Sequence, residues 1–274
     1  MQEVLLRATD HLRKSSETPR LDAELLLAHA LGLQRIELYT DFDRPLTGDE
    51  LDGYRALVAR RSKHEPVAYI LGEWGFRRLT LAVDRRALIP RPETETVVEH
   101  ALAHLRGIDA PRVLDVGTGT GAIALAIADE HRGARVEAID VSPDALALAA
   151  ENVSRTGLEV ELHEWDLREG LPEGPYDLVV SNPPYVEPGE LETLMPDVRD
   201  YEPHLALVGS GAVEAVARAA RDALVPGGWL VLEVGAGQAA AIAALLERLR
   251  YVEIAVSPDL AGHDRVVEAR RGGG

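Results

Sequence analysis

The stretch Arg112-Val113-Leu114-Asp115-Val116-Gly117-Thr118-Gly119-Thr120-Gly121 decides the fold of this 274-residue chain. Its first half is a short apolar run of the kind that is buried in parallel sheets, and its second half is a glycine-rich loop. An alanine-rich segment with the composition of a helix follows to about Glu130. Strand, glycine loop and helix in this order predict a doubly wound α/β domain whose loop approaches a ligand at the helix N-terminus.

Strands and helices keep alternating after this stretch, which predicts a mostly parallel sheet. Helices are expected to open near Ser142, Ala212 and Gln238. Further strands are expected at about 135–139, 159–163, 176–180, 229–234, 252–256 and 265–269. Residues 93–274 are therefore predicted to form one α/β domain.

The N-terminal part of the chain, residues 1–65, has helical periodicity and predicts a small helical domain. Thr18-Pro19 marks the start of one helix and Gly32 its end, because a capping residue, proline at the first turn and a terminal glycine suit those positions. Thr47 and Glu50 form the capping-box signature of another helix. Both a packing role and partner recognition are open for this domain.

Residues 66–92 change character and predict a β-hairpin linker. Apolar and aromatic residues, beginning with Val67, occur at strand-like spacing and are interrupted by Gly72 and Gly75. The segment leads into Leu88-Ile89-Pro90-Arg91-Pro92-Glu93-Thr94-Glu95, where two prolines stiffen the chain before a helix begins near Glu93. This linker is predicted to be stiffer than a generic one.

Composition bounds the possible functions. The net charge of −17 disfavours sequence-independent capture of nucleic acid, which needs clustered cations. The absence of cysteine excludes disulfides, thiolate metal sites and cysteine nucleophiles. His100 and His104 share a helix face without the glutamate of a zinc-protease helix, so they are predicted to be solvated and no metal site is expected. No segment is apolar enough to span a membrane and Met1-Gln2-Glu3 does not open a signal peptide, so the cytoplasm is predicted.

A second informative stretch, Ser181-Asn182-Pro183-Pro184-Tyr185-Val186, follows the apolar run at 176–180. Ligands of open α/β sheets bind where such strands end. The Asn182 side-chain oxygen and the Pro183 carbonyl accept hydrogen bonds, while the two prolines have no N–H to donate. With the aromatic face of Tyr185, this rim suits a flat substrate that carries an NH2 group. By itself, the stretch is also typical of a simple turn.

The glycine loop alone does not distinguish a nicotinamide dinucleotide from S-adenosylmethionine, since Asp140 suits the ribose hydroxyls of either. Three features favour S-adenosylmethionine. Asp115 would repel a pyrophosphate but attract an ammonium or sulfonium. Trp165 offers an aromatic face for adenine and Asp166 an acceptor for its amino group. The rim at Asn182 accepts an NH2 group, and no acid or base for hydride transfer is evident.

These motifs together resemble class I S-adenosylmethionine-dependent methyltransferases that modify amide or exocyclic amino nitrogens, and the closer resemblance is to the HemK/PrmC family. That family comprises protein-(glutamine-N5) methyltransferases acting on peptide-chain release factors. The resemblance covers nearly the whole chain, and its more specific marker is Pro90-Arg91-Pro92-Glu93-Thr94-Glu95. It implies a seven-stranded sheet, an N-terminal helical domain, S-adenosyl-L-methionine as cofactor, and a glutamine in a Gly-Gly-Gln tripeptide as substrate.

The resemblance also implies roles for individual residues. Asn182, Pro183 and Tyr185 are expected to carry catalysis, and the substrate is expected to contact these together with Pro184 and Arg91. The cofactor is expected to contact Asp115, Gly117, Thr118, Gly119, Thr120, Gly121, Asp140, Trp165, Asp166 and Asn182.

The expected reaction is direct, in-line methyl transfer to the amide nitrogen. An adenine-N6 nucleic-acid methyltransferase and a glutamine methyltransferase of a ribosomal protein stay open as alternatives, although direct nucleic-acid binding is not expected. A nicotinamide dehydrogenase and a non-catalytic scaffold are the alternatives from other classes.

Overall fold

The computed structural model describes residues 1–40, 44–259 and 261–273. These residues form two compact units, one of Met1–Glu73 and Leu194–Tyr201, the other of Trp74–Thr193 and Glu202–Gly274. The helices are α1 (Gln2–Leu12), α2 (Pro19–Leu31), α3 (Glu37–Thr40), α4 (Gly48–Arg61), α5 (Val67–Leu71), α6 (Pro92–His104), α7 (Ala122–Glu130), α8 (Pro143–Thr156), α9 (Pro196–Tyr201), α10 (His204–Leu207), α11 (Ala212–Ala223) and α12 (Ala239–Arg248). The strands are β1 (Glu73–Phe76), β2 (Leu79–Ala82), β3 (Arg112–Val116), β4 (Arg135–Asp140), β5 (Glu161–Glu164), β6 (Tyr176–Ser181), β7 (Leu224–Glu233), β8 (Tyr251–Pro258) and β9 (Asp264–Arg271). Two short 3-10 helices cover Leu167–Glu169 and Pro188–Thr193.

The first unit is helical, as predicted. Helix α2 begins at Pro19 and ends at Gly32, whose φ of 64° is the left-handed conformation that glycine adopts at little cost. The capping box of α4 is present, because the Thr47 hydroxyl accepts from the Glu50 N–H and the Glu50 carboxylate accepts from the Thr47 N–H. A buried ion pair between Arg61 and Asp22, 2.6 Å long, joins α4 to α2. The predicted side-chain cap at Thr18 is absent, because its hydroxyl donates to Asp22 at 3.0 Å and caps no backbone group.

The prediction of strand structure at 67–71 was wrong, since these residues form helix α5. Pro66 lies just before the helix, and Gly72 ends it with a φ of 77°. Val67 and Ile70 are buried, and burial of this face outweighs the weak strand preference of β-branched side chains. The proline before the segment and the glycine after it were the overlooked helix signals.

The second unit contains the seven-stranded sheet in the order β5-β4-β3-β6-β7-β9-β8. The first five strands in this order pair in parallel, whereas β9 is antiparallel to both β7 and β8. The predicted fold class is confirmed. Strand order reverses between β3 and β6. Val116 at the end of β3 pairs with Ile139 on β4 and with Ser181 on β6, so the carboxyl ends of these three strands lie at one level. Open α/β sheets bind ligands at such a switch point.

The hairpin β1–β2 belongs to the second unit in all but its first residue. Asn152 on α8 holds it there, because its Oδ1 accepts from the Ala82 N–H at 2.6 Å and its Nδ2 donates to the Ala82 carbonyl at 3.0 Å. Residues 194–201, in contrast, belong to the first unit. The predicted division into 1–65, 66–92 and 93–274 assigns a functional role to each part and stays a prediction. The two compact units are defined differently, by contacts between residues that are distant in sequence.

His100 and His104 are not the solvated residues that were predicted. Both ring systems contact Glu268 on β9, with His100 Nδ1 and His104 Nε2 lying 2.8 Å and 3.0 Å from its Oε2. The ring of His104 also stacks on Trp229, with 3.6 Å between centroids. The reason is that α6 packs over β7 and β9, which periodicity along α6 does not reveal.

None of the helices in the described part of the chain has the length and apolar composition that a bilayer span requires.

Candidate active site

A cavity of about 340 Å3 opens at the carboxyl ends of β3, β4 and β6. The glycine loop after β3, the end of β4, the Asn182 segment after β6 and the residues before α6 all contribute to its lining. The predicted site residues that line it are Arg91, Gly117, Thr118, Gly119, Thr120, Asp140, Trp165, Asp166, Asn182, Pro183 and Pro184. The structure therefore brings together two motifs that lie about sixty residues apart in the sequence.

The backbone of the glycine loop is held against β4. The N–H groups of Gly117 and Thr118 both donate to the Ile139 carbonyl, at 2.8 Å and 3.0 Å. Gly117 has a φ of 74°, a conformation that side chains rarely adopt, and a Cβ placed on it would meet no protein atom within 4 Å. Since Gly117 lines the cavity, this open space leaves room for a ligand to approach the backbone.

Asp140, the last residue of β4, supports the loop from the side. Its Oδ2 accepts from the Gly119 N–H and its Oδ1 from the Ser142 N–H, each at 2.9 Å. Burial raises the pKa of this carboxyl above its ordinary value, although the backbone donors counteract the effect. Each oxygen keeps a lone pair, so Asp140 can accept hydrogen bonds from the two hydroxyls of a ribose.

The structure differs from the prediction at Asp115, which does not line the cavity. Its side chain is fully buried beneath the loop, where Oδ2 accepts from the Thr118 hydroxyl at 2.7 Å and from the Ala124 N–H at 3.2 Å. Burial raises its pKa to about 7. Asp115 therefore joins the loop to the first turn of α7 through these two hydrogen bonds. Gly121 is also outside the lining and, with a φ of 82°, forms the N-cap of α7.

Trp165 and Asp166 lie after β5 at the side of the cavity. The Trp165 indole N–H donates to the Gly170 carbonyl at 3.0 Å, which fixes the ring. Asp166 is engaged by Arg168, whose hydrogen bonds lower the pKa of the carboxyl to about 2. Trp165 lines the cavity and its contact with a base stays a prediction, while the Asp166 carboxylate is shared with Arg168.

Asn182 follows the last residue of β6, and its side chain is linked to Thr94 and, through Thr94, to Glu233, neither of which was predicted as a site residue. Its Nδ2 donates to the Thr94 hydroxyl at 3.2 Å, and that hydroxyl donates to the Glu233 carboxylate at 2.6 Å. Burial raises the pKa of Glu233 to about 7. Thr94 belongs to the marker segment that leads into α6, where it lies in the first turn, but no local signal relates it to Glu233, which is 139 residues away.

The segment after Asn182 is held from outside the cavity. Tyr185 does not line the cavity, so the structure does not support the predicted stacking of its ring on a substrate amide. Its carbonyl instead accepts from the Gln238 side chain at 3.1 Å, and Gln238 in turn accepts from the Gly235 N–H. The ring packs against the core around β7, which buries part of it. Pro184 contacts Gly209, where a Cβ would lie only 2.5 Å from the Pro184 Cγ.

Arg91 lines the cavity and forms an ion pair with Glu202, a buried residue that also accepts from the Ile89 N–H at 3.2 Å. Arg86 is the other arginine among the described lining residues, and it pairs with Asp84 and Glu151. Both guanidinium groups are thus already matched by carboxylates. A dinucleotide pyrophosphate would have to compete for them, whereas an uncharged adenosine and a sulfonium would not.

The residues present fit S-adenosyl-L-methionine. The glycine loop admits close approach, Asp140 can hold a ribose, and Trp165 offers a face for a base. The acceptors at Asn182 and Pro183 lie in the same lining and can hold an NH2 group of a second ligand beside it. The arrangement is therefore able to bring a cationic group donor and an amide or amine acceptor into one cavity.

Comparison with known proteins gives matches over both parts of the chain. Residues 3–72 match the family described as PrmC N-terminal domain, and residues 95–198 match the family described as Methyltransferase small domain. These ranges fall on the predicted helical domain and on the strand, loop and helix segments that build the cavity.

Similar proteins extend over nearly the full length. A release factor glutamine methyltransferase from Geobacter sulfurreducens is 44% identical over 94% of this chain and 92% of its own length. One from Deinococcus radiodurans is 42% identical over 100% of this chain and 99% of its own length. Among solved structures, a methyltransferase from Pyrococcus furiosus covers 70% of this chain and 88% of its own, with a TM-score of 0.51 and 19% identity, and so supports the fold alone.

Proposed function

Because the chain belongs to the family of release factor glutamine methyltransferases, we propose that it methylates peptide-chain release factors on their Gly-Gly-Gln glutamine. The methyl group comes from S-adenosyl-L-methionine and the acceptor is N5, the side-chain amide nitrogen of that glutamine. The observation that supports this best is the position of Asn182, whose carboxamide lies in the lining of the cavity that the glycine loop also lines.

An amide nitrogen is a poor nucleophile, because its lone pair is delocalised into the carbonyl. S-adenosyl-L-methionine, when bound, supplies an electrophilic methyl group on a positively charged sulfur. The Asn182 Oδ1 and the Pro183 carbonyl accept the two N–H bonds of the glutamine amide and so hold its nitrogen with one face toward the methyl. Positioning of this kind supplies up to about 7–11 kcal/mol in favourable cases.

The two acceptors also act electrostatically. As the new N–C bond forms, positive charge develops on the amide nitrogen, and oxygen acceptors placed against its N–H groups stabilise that charge. The proton leaves the nitrogen after transfer, so no strong base is required at the site. Pro184 contributes apolar wall to the cavity, and Tyr185 supports the segment from the core side.

The glycine loop, Asp140 and Trp165 form the proposed cofactor side of the cavity. Asp140 holds the ribose hydroxyls and Trp165 contacts the adenine, while Thr118, Gly119 and Thr120 present the loop backbone. Arg91, held by Glu202, borders the substrate side. The N-terminal helical domain is proposed to recognise the release factor.

The protein is proposed not to bind nucleic acid directly, because its net charge of −17 repels phosphates. The proposed place of action is the cytoplasm, where release factors work in translation. Adenine in nucleic acid and a glutamine of a ribosomal protein are the rival acceptors, and each is tested beside the release factor.

The deciding experiment incubates the purified protein and S-adenosyl-L-methionine with a release factor, an adenine-containing DNA duplex and ribosomal proteins in separate reactions. Mass spectrometry of the release factor is expected to find one added methyl group on the Gly-Gly-Gln glutamine. A release factor in which that glutamine is replaced by alanine serves as the matched control. Methyl transfer to DNA or to a ribosomal protein, with none to the release factor, would contradict the proposal.

A further inference from the structure

We propose that Thr94 and Glu233 are positioning residues that determine which end of the Asn182 carboxamide faces the substrate. This inference rests on the proposed function, since it concerns the acceptor that holds the glutamine amide. It adds a requirement: an asparagine at this place is not sufficient, because its side chain has two ends of similar shape and opposite hydrogen-bonding character.

Three elements bring the three residues together. Asn182 follows β6, Thr94 lies in the first turn of α6, and Glu233 is the last residue of β7, the strand next to β6 in the sheet. Thr94 is 4% exposed and Glu233 is 1% exposed, so neither side chain can exchange its partner for bulk water. The hydroxyl of Thr94 lies 2.6 Å from Glu233 Oε2 and 3.2 Å from Asn182 Nδ2.

The direction of each hydrogen bond follows from the chemistry of the groups. An ionised carboxylate can only accept, so Glu233 takes the single hydrogen of the Thr94 hydroxyl. The Thr94 oxygen can then only accept, and the group that it accepts from must be the NH2 end of Asn182. The carbonyl end, Oδ1, is consequently the end left for the substrate. An amide substrate brings N–H donors, which this oxygen accepts and which a flipped NH2 group would oppose.

A neutral side chain at position 233 no longer fixes the direction of the Thr94 hydroxyl hydrogen. If the carboxyl is protonated, or is replaced by the amide of glutamine, it can donate to Thr94, and the Thr94 hydrogen becomes free to point at Asn182. Asn182 can then turn its Oδ1 to Thr94 and its NH2 to the substrate. The charge on Glu233 is thus transmitted through one hydroxyl to the orientation of the substrate-facing group.

The surroundings of Glu233 bring the ionisation of its carboxyl close to neutral pH. Burial raises its pKa to about 7, while the Thr94 hydrogen bond and the positive charges of Arg265 and Arg91 lower it and Glu93 raises it. Tyr185 also interacts with Glu233, and burial raises the pKa of that phenol above its ordinary value, so it stays neutral. Above the pKa of Glu233 the carboxylate enforces the productive orientation, and below it both orientations are allowed.

Substitution of Thr94 and Glu233 tests the inference in steady-state methylation of the release factor. T94V keeps the shape of the side chain and removes its hydroxyl, and E233Q keeps the shape and removes the charge. T94S is the control, because it keeps the hydroxyl and loses only a methyl group. We expect T94V and E233Q to lower kcat by about 10- to 100-fold, the size of effect typical of residues that orient another ligand-contacting group. T94S is expected to keep most of the wild-type kcat. The affinity for S-adenosyl-L-methionine, measured by calorimetry, is expected to change by less than about 2-fold in all three variants.

The pH profile distinguishes positioning from a general loss of structure. In the wild-type protein kcat is expected to rise through about pH 7 with the ionisation of Glu233, and E233Q is expected to lack that limb. E137Q is the matched control, because Glu137 on β4 also accepts from a hydroxyl, that of Tyr176 at 2.7 Å, but does not line the cavity. It is expected to keep both kcat and the acid limb.

Two results would overturn the inference: T94V with kcat within about 2-fold of wild type, or E233Q with an unchanged acid limb. If T94V does not fold, as judged by thermal unfolding, the pH profile of E233Q decides alone. Failure of the wild-type protein to methylate any release factor would instead refute the proposed function, so the two failures are distinguishable.

Discussion

At the scale of single residues, the candidate site depends on side chains with one defined chemical task each. Asn182 supplies an oxygen acceptor, Asp140 supports the loop and can hold a ribose, and Gly209 leaves the space that Pro184 occupies. Substitutions at this scale should therefore separate catalysis from binding and from folding, because each removes one of these tasks.

We expect N182A to lower kcat by at least about 100-fold, comparable to removing one electrostatic contact from a reacting group, while the affinity for S-adenosyl-L-methionine stays nearly unchanged. Methyl transfer to the release factor and calorimetry with the cofactor measure the two effects. Comparable losses of kcat and of cofactor affinity would show that Asn182 holds the cofactor rather than the substrate.

We expect G209A to disturb the Asn182 segment without touching the cofactor side. An added Cβ would lie 2.5 Å from Pro184 Cγ and 2.6 Å from the Pro184 carbonyl oxygen, so the segment has to shift, at a cost of about 1–3 kcal/mol in unfolding free energy. The KM for the release factor should rise and kcat should fall.

G189A is the control for this substitution, because a Cβ at Gly189 meets no atom within 4 Å. It should leave both stability and kinetics near the wild-type values. Equal behaviour of G209A and G189A would mean that contact with Pro184 does not position the segment.

At the scale of elements, the glycine loop is held in place by parts that are remote in sequence. Asn152 on α8 is fully buried and joins the hairpin to the loop, because besides its two bonds to Ala82 it donates to the Thr120 carbonyl at 2.9 Å. One carboxamide thus satisfies three backbone groups, two of Ala82 and one of Thr120, and both of these residues are buried.

We expect N152A to lower the unfolding free energy by about 2–4 kcal/mol, since it leaves buried backbone groups without partners. The affinity for S-adenosyl-L-methionine should fall as well, because Thr120 belongs to the loop that lines the cavity. Chemical denaturation and calorimetry measure these effects.

T156V is the comparison for N152A, because the Thr156 hydroxyl donates only to carbonyls of its own helix, such as that of Asn152. It should cost less than about 1 kcal/mol and leave cofactor binding unchanged. A cofactor affinity unaffected in N152A would show that the loop holds its shape without this clamp.

At the scale of the whole molecule, two buried carboxyls with strongly raised pKa values contribute to the pH dependence of stability around neutrality. Burial raises the pKa of both Asp115 and Glu233 to about 7, from ordinary values near 4. Between these values the folded state binds more protons than the unfolded state, so stability falls as pH rises through that window and then levels off. Each group contributes a slope of at most about 1.4 kcal/mol per pH unit.

We therefore expect the unfolding free energy to be higher near pH 5 than near pH 8, measured by chemical denaturation at constant ionic strength. E233Q should flatten part of this slope, since its side chain does not titrate. Below about pH 4 stability should fall again, because hydrogen bonds from arginines hold the pKa of carboxyls such as Asp84 and Glu130 below their ordinary values. A wild-type stability that increases from pH 5 to pH 8 would contradict this account.

The sequence by itself determined most strands and helices of the α/β domain, the ends of α2 and the capping box of α4. It also determined the lining residues from Gly117 to Thr120 and from Asn182 to Pro184. These features follow from periodicity, turn chemistry and strand ends within short windows. Only the tertiary structure decided that Asp115 lies beneath the loop, that 67–71 is helical, and that His100 and His104 contact Glu268. It also decided the contacts of Thr94 with Glu233 and of Arg91 with Glu202. The physical reason is that a buried polar side chain takes whichever partner the packing of distant elements brings to it, and that partner leaves no local pattern in the chain.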